Sequence, residues 1–308
     1  MKKVFIDGYA GTTGLKIYER LTPRKDIQLL TLTEETRKDI NARRDALNSA
    51  DIAFLCLPDD AAKESVFLVE NETTAIIDTS TAHRVAPGWT YGLPELKGQR
   101  EKIRTSKRVA NPGCHATGFI VLATPLVQAG IVSEDALLSC FSLTGYSGGG
   151  KKMIAQYEAE GRDSLLDAPR QYGLTQKHKH LPEMAKLSGL KNAPVFCPIV
   201  ADYFAGMEVA VFLHNISVKA LQDCYREYFG AERVVRFTEA DAFGEGGFMS
   251  AGAFAGRDDL EITVQGNDER AVVVSRFDNL GKGASGAAIQ NMNILLGLDE
   301  ATGLNIGH

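Results

Sequence analysis

Long apolar runs are missing from this chain. Nowhere do roughly 18 apolar residues follow one another, and the opening MKKVFIDG is too short for a signal-peptide core, so neither a membrane span nor export is indicated and a cytoplasmic protein is expected. A surplus of positive charge is missing too. Thirty-four Lys and Arg face 39 Asp and Glu, for a net charge of -5, which leaves no basic field to wrap nucleic acid or dock on acidic lipid. Cysteine is sparse and unpaired: Cys56, Cys114, Cys140, Cys197 and Cys224 form no CxxC or CxxxC, which argues against a disulfide framework and a cysteine zinc site. No HExxH occurs, and no repeat or low-complexity segment; the glycine-dense points are 145–150 and 244–247.

What is present is an ordinary globular balance, 44% hydrophobic and 24% charged, over 308 residues. At roughly 150 residues per domain that length suits about two domains. Residues 3–7 are a compact apolar run ending at Gly8, followed by a helical pattern carrying Leu15, Ile17, Tyr18 and Leu21. Residues 27–32, 50–57 and 74–78 read as further strands with helical patterns between them. Alternating strands and helices predict a Rossmann-type, doubly wound parallel sheet. From about Leu137 strand-like runs follow one another directly, at 138–143, 194–200, 207–213, 234–237, 260–265 and 271–277. They predict an α+β second domain with a mostly antiparallel sheet, and residues 286–296 read as a final helix.

Gly8-Tyr9-Ala10-Gly11-Thr12-Thr13-Gly14 is a GxxGxxG turn between predicted strand and predicted helix. Glycines let backbone approach a pyrophosphate, free N–H groups and the helix dipole meet its charge, and Thr12 and Thr13 add hydroxyls. A tight strand-to-helix turn explains the same letters. After the second strand, Glu34 and Glu35 would suit a ribose diol while Arg37 and Lys38 would suit a 2′-phosphate; a solvated helix start is the plain alternative.

Asn111-Pro112-Gly113-Cys114-His115-Ala116-Thr117-Gly118 precedes an almost wholly apolar helical run, which puts Cys114 at the N-terminus of a buried helix. The dipole alone contributes about 0.3 to 1 kcal/mol toward a thiolate, less than one pKa unit, so a second partner is required. The other four cysteines read as inert packing residues. Lys177-His178-Lys179-His180-Leu181-Pro182-Glu183 offers two imidazoles as acid/base; a metal reading lacks third and fourth ligands, and a solvated polar loop is the plain alternative. Asp78-Thr79-Ser80-Thr81-Ala82-His83-Arg84 lies at the carboxyl edge of the fourth strand, where Arg84 could grip an anion. Gly145 to Lys152, including Ser147, Gly148 and Lys151, is an anion nest or a flexible hairpin.

The Asn-Pro-Gly-Cys string with its N-terminal glycine turn resembles the aspartate-semialdehyde and N-acetyl-γ-glutamyl-phosphate reductase group. Tyr91-Gly92-Leu93-Pro94-Glu95-Leu96, the Ser147 to Lys151 loop, His178 to Glu183 as HxHxPE, and Gly281-Lys282-Gly283-Ala284-Ser285-Gly286-Ala287-Ala288 select the second family in a short form. The resemblance implies NADPH-dependent reduction of N-acetyl-γ-glutamyl phosphate in arginine biosynthesis. Cys114 would be the nucleophile and His178 the acid/base. Arg84, Ser80, His180, Glu183 and Lys151 would contact the acyl-phosphate substrate. NADP(H) would be held by Gly8, Ala10, Gly11, Thr12, Thr13, Gly14, Arg37, Ser147, Gly148, Lys282 and Asn291. It also implies an NADP-binding domain at 1–113 with a C-terminal helix, 284–308, returning to it, a catalytic and oligomerisation domain at 114–283, no metal, and a homodimer or homotetramer. The chain departs from many members in carrying His115-Ala116 after the cysteine instead of Tyr-Pro, and Ala205 before Gly206 instead of arginine.

Overall fold

The computed structural model describes residues 1–239 and 247–307, so of the second glycine-dense point only Gly247 is described. The chain divides into two compact units, Met1–Pro112 with Ala284–Leu304, and Gly113–Gly283 with the last few residues.

The first unit runs β1 (Lys2–Asp7), α1 (Thr12–Leu21), β2 (Ile27–Leu30), α2 (Ile40–Ser49), β3 (Ile52–Leu55), α3 (Asp59–Leu68), β4 (Ala75–Asp78), β5 (Thr90–Tyr91), α4 (Gln99–Thr105) and β6 (Arg108–Ala110). The late helix α9 (Gly286–Leu295) completes it. The strands form a parallel sheet in the order β2-β1-β3-β4-β6-β5, with Val4 opposite Ile52 and Ile52 opposite Ala75. Alternate side chains of β1 feed two cores. Val4 and Ile6 join Ile17, Leu21, Ile103, Ile289 and Met292 on one face, while Phe5 joins Leu47, Ala62 and Leu68 on the other. Helices on both faces explain why these strands read as continuous apolar runs without alternation. β5 and β6 are too short to leave a periodic signature and are absent from the expected strands.

The second unit runs α5 (Cys114–Gln128), β7 (Ser139–Gly145), α6 (Gly150–Glu158), β8 (Arg170–Gln171), α7 (Leu181–Ser188), β9 (Val195–Ala201), β10 (Met207–His214), α8 (Val218–Phe229), β11 (Val235–Phe237), β12 (Leu260–Asn267) and β13 (Arg270–Phe277). Its sheet order is β11-β12-β13-β10-β7-β9-β8. The β10–β13, β12–β13, β7–β10 and β8–β9 pairs are antiparallel, while β7–β9 and β11–β12 are parallel, so the sheet is mostly antiparallel as expected. α5 is buried from His115 to Leu126 and lies on one face of this sheet. A Cβ at Gly118 would sit 2.5 Å from Val209 Cγ2, so only glycine lets the helix approach this closely. Ser275 Oγ donates to the Gly118 carbonyl at 3.2 Å from the same face.

Candidate active site

In the first unit the glycine turn joins β1 to α1. Gly8 has φ +85, and a Cβ there would lie 2.4 Å from the Cys56 carbonyl oxygen; one at Gly14 would lie 2.6 Å from the Gly8 oxygen. These two glycines are required by the chain itself. Gly11 is different: a Cβ there meets nothing closer than 3.5 Å, and its backbone is extended, at φ -75. Its glycine keeps space open over the start of α1, where no side chain caps the helix and no acidic residue stands in the first turn. Thr12 and Thr13 lie in that turn. The adjoining cleft, about 270 Å³, is lined by Gly8, Tyr9, Ala10, Leu32, Arg37 and Lys38, among others. Glu34 does not line it; it is held by the Tyr9 hydroxyl at 3.1 Å and Arg37 Nε at 2.6 Å. Residues 34–38 form a turn ahead of α2, whose cap is Asp39, so the helix-start reading of this segment fails.

Arg43, also on the cleft, donates to the buried Asp7 carboxylate through Nε and Nη2, and Ser65 Oγ donates to the same carboxylate at 2.8 Å. This ties β1 to α2 and α3 beneath the turn. Asp78, fully buried at the end of β4, accepts from Ser80 N and Oγ and pairs with His83 Nδ1 at 2.6 Å; His83 stacks on Trp89. Arg84 donates to the carbonyls of Asn111 (3.0 Å) and Thr79 (3.2 Å). Ser80 and Arg84 therefore shape the strand ends with the same groups expected to meet substrate. Asn291 Nδ2 donates to the Gly92 carbonyl at 2.9 Å and to Asn111 Oδ1 at 3.3 Å, while its own Oδ1 is a buried acceptor without a hydrogen-bond partner. Such an atom calls for a donor from a bound group. Neighbouring Gln290 donates to the buried Glu95 carboxylate at 2.8 Å, which accounts for the YGLPE segment packing on α9.

In the second unit Cys114 is the first residue of α5, half-buried where His115 to Leu126 are buried. Its cap, Gly113, offers no side chain; the Gly113 N–H donates to the Glu183 carboxylate at 3.2 Å. A Cβ at Gly283 would stand 2.9 Å from Cys114 Cβ, so the glycine of the GKGASGAA segment clears the space beside the thiol. The neighbouring residue, His115, is buried, with Nδ1 2.6 Å from Ser142 Oγ and Nε2 2.6 Å from the Tyr172 hydroxyl. Burial, then the charges of His178 and Lys179, pull its pKa from 6.5 down to about 3. His178 and His180 both lie edge-on or tilted against His115, ring centroids 5.7 and 5.5 Å away. The His180 N–H donates to His178 Nδ1 at 3.2 Å, which leaves the proton of the neutral ring on Nε2. His180 and Glu183 are buried, at 5% and 1% exposure, so the solvated-loop reading of this segment fails.

Ser147 Oγ accepts from Asn279 Nδ2 at 2.9 Å, and residues 146–149 form a 3-10 turn running into α6 instead of a hairpin. Gly148 and Lys151 are exposed there, and Lys282 is fully buried in a π-helical turn, Gly281–Ser285. All five cysteines are free thiols. Burial pushes Cys56 up to about 12 and Cys140 higher still, as inert packing thiols require. Among the described residues no helix is long and apolar enough to cross a membrane, and no cluster of three or more His, Cys, Asp or Glu could hold a metal ion. Sequence reasoning missed Ser142 and Tyr172, and named His83 and Gly283 within their motifs without giving either a role. His115 carried a signal, a polar residue inside an apolar helix, whereas Tyr172 carried none.

The chain is of the semialdehyde dehydrogenase class, as two family models that cover its parallel-sheet unit and its thiol-bearing unit show. The family models "Semialdehyde dehydrogenase, NAD binding domain" and "Semialdehyde dehydrogenase, dimerisation domain" match residues 3–106 and 114–279. Among solved structures, aspartate semialdehyde dehydrogenase II from Vibrio cholerae shares the fold, with a TM-score of 0.72 at 16% identity over 96% of this chain and 98% of that one. The Candida albicans aspartate semialdehyde dehydrogenase solved with NADP gives 0.64 at 13% identity over 95% and 98%. N-acetyl-gamma-glutamyl-phosphate reductase 2 of Nostoc sp. is 44% identical over 98% of this chain and 99% of its own, and the Sinorhizobium medicae N-acetyl-gamma-glutamyl-phosphate reductase is 45% identical over 96% and 98%. The chain belongs to the N-acetyl-gamma-glutamyl-phosphate reductase family and is an oxidoreductase with a nicotinamide-dinucleotide-binding domain.

Proposed function

We propose that this enzyme reduces N-acetyl-γ-glutamyl phosphate to N-acetylglutamate 5-semialdehyde with NADPH, releasing phosphate through a thioester on Cys114, as a step of arginine biosynthesis in the cytoplasm. The observation that carries the reading is the half-buried thiol at the start of a helix buried from His115 to Leu126, beside a cluster of three histidines, in a chain that matches such reductases over nearly its whole length. The Cys114 thiolate attacks the acyl carbonyl, the C–O bond to phosphate breaks, and phosphate leaves as an anion with the bonding pair. NADPH, when bound, supplies hydride to the thioester carbon. The oxygen takes the displaced electron pair, and collapse of this thiohemiacetal anion expels the Cys114 thiolate and frees the aldehyde. His178, whose Nε2 carries the proton in the neutral ring while Nδ1 accepts from the His180 N–H, fills the acid/base position: its Nε2–H is offered to the negative oxygen and shared as a hydrogen bond until collapse expels the thiolate, so no net proton is transferred. Backbone N–H groups at the start of α5 favour the negative oxygen.

The open Gly11, the uncapped start of α1 and the orphaned Asn291 Oδ1 fit a dinucleotide. Arg37 and Lys38 on the cleft, with Glu34 turned to other partners, favour a 2′-phosphate over a free diol. Lys282, Ser147 and Gly148 complete the proposed cofactor contacts, and Arg84, Ser80, His180, Glu183 and Lys151 the substrate contacts. Assembly as a homodimer or homotetramer is supported by the match to a dimerisation domain and by the half-exposed Phe141, Leu143, Cys197 and Ile199 on the sheet face away from α5.

The test runs the reaction backwards: phosphate-dependent reduction of NADP with N-acetylglutamate semialdehyde, with aspartate semialdehyde and NAD as controls. Activity with the N-acetylated aldehyde alone supports the reading, and activity with aspartate semialdehyde alone overturns the substrate. Arg37→Ala is expected to raise KM for NADP about tenfold with little change for NAD; an equal rise for both removes Arg37 from 2′-phosphate recognition.

A further inference from the structure

We propose that Tyr9, the second residue of the glycine turn, sets the choice between NADP and NAD: its hydroxyl holds the Glu34 carboxylate as a brace for Arg37 and keeps that carboxylate from serving a ribose diol. The proposal rests on the reading of Arg37 as a 2′-phosphate contact and adds the residue that positions it.

The geometry is a chain of three side chains drawn from two segments of the first unit. The Tyr9 hydroxyl donates to Glu34 Oε1 at 3.1 Å, and Arg37 Nε donates to Glu34 Oε2 at 2.6 Å. A carboxylate only accepts, so both directions are fixed. Both of its oxygens are engaged, and turning one toward a ribose diol would break a bond already made. Arg37 is held through Nε alone; among the described residues neither Nη group has a hydrogen-bond partner, so the outer edge of the guanidinium is left for the oxygens of a phosphate. Tyr9, Arg37 and Lys38 line the cleft and Glu34 does not. Folding hardly needs this arrangement, because an ion pair three residues apart whose acid is 66% exposed contributes little. What sets it apart is the third member, which reaches Glu34 from 25 residues earlier. The Tyr9 ring packs on the core of the first unit, 6.0 Å from the Tyr18 ring, and so anchors its hydroxyl. The other end is anchored by the turn itself, where the Arg37 N–H donates to the Thr33 carbonyl at 2.9 Å and the Thr33 N–H to Thr36 Oγ1 at 3.0 Å. Without the phenol the Glu34 carboxylate is free to turn into the cleft, where it repels a 2′-phosphate and accepts from a 2′-hydroxyl.

The experiment is calorimetric titration of the full-length protein with NADP and with NAD, which reads cofactor binding apart from turnover. Tyr9→Phe keeps the packed ring and removes the donor. It is expected to lower the ratio of NADP to NAD affinity about fivefold, with NAD binding unchanged or tighter. In a Glu34→Ala background there is no carboxylate to hold, and adding Tyr9→Phe is expected to change the ratio less than about twofold. A ratio unmoved by Tyr9→Phe, an equal weakening of both dinucleotides, or an effect that persists in Glu34→Ala overturns the proposal. In each of those cases an Arg37→Ala variant that still loses NADP selectively leaves the 2′-phosphate reading standing. An Arg37→Ala variant that weakens both dinucleotides alike removes that reading and this proposal with it.

Discussion

Helices α1 and α5 begin alike and end up doing opposite things. Each is capped by a glycine in extended backbone, Gly11 and Gly113, and neither has a side-chain cap or an acidic first turn. Both therefore present a positive dipole end. Around α1 that end adjoins a Gly11 with room for a methyl group and a cleft lined by Arg37, Lys38 and Arg43 among others. Around α5 the Gly113 N–H is taken by Glu183, the helix is buried from His115 to Leu126, and one half-buried thiol stands at its start. The same helix start becomes an anion cradle where backbone is left bare, and a nucleophile's seat where one ionisable side chain is placed in it.

The largest expected effect separates the two. Cys114→Ser is expected to lower aldehyde formation by at least about 10⁴-fold, because an alcohol at the same place is hardly ionised at neutral pH. NADP binding, measured by fluorescence titration, is expected to be unchanged. A serine variant that keeps the full rate would remove the nucleophile from α5 and leave the comparison with one functional helix start.

A second difference lies in what acid does to each start. His115 is held neutral, its pKa moved from 6.5 to about 3, mainly by burial. Above pH 6.5 folded and unfolded chains are both neutral there. As pH falls below 6.5 the unfolded chain takes up a proton that the folded chain refuses until about pH 3, so this residue withdraws stability on acidification. The expected loss is about 2 kcal/mol between pH 7 and pH 5. Denaturant melts of the parent and His115→Gln at both pH values check this, since other groups cancel in the difference. A parent that loses no more than the variant would mean that His115 is protonated in place.

Much of this is legible in the residues alone, for identifiable reasons. β1, β3 and β4 are buried on both faces and so stand out as unbroken apolar runs, and the strands of the second sheet show as runs set close together. Cys114 announces its helix start because the apolar run behind it is so long. What stays hidden depends on distance across the chain. Tyr172 meets His115 only because β8 and β9 pair beside β7, and no local pattern encodes that. Gly283 beside Cys114 and Asn291 on Gly92 are contacts between segments more than 150 residues apart, where only resemblance to a family offers a hint.

The smallest expected effect tests the glycines of the α1 cradle against one another. Gly8 and Gly14 are enforced by backbone oxygens 2.4 and 2.6 Å from where a methyl group would stand, so Gly8→Ala must push the β1 and β3 ends apart and is a folding defect first. Gly11→Ala places its methyl at ordinary contact distance, 3.5 Å from the Gly8 oxygen and 3.7 Å from the Cys56 oxygen, with no clash. Its folding stability is therefore expected to stay within about 0.5 kcal/mol of the parent. Its affinity for NADP is expected to fall about tenfold, since the methyl occupies the approach to the helix N–H groups. Calorimetric titration with NADP and a thermal melt of the same sample separate the two. Undiminished binding in Gly11→Ala would show that the pyrophosphate does not lie over this turn, and α1 would then be a plain connector whose glycines serve only the packing of the sheet.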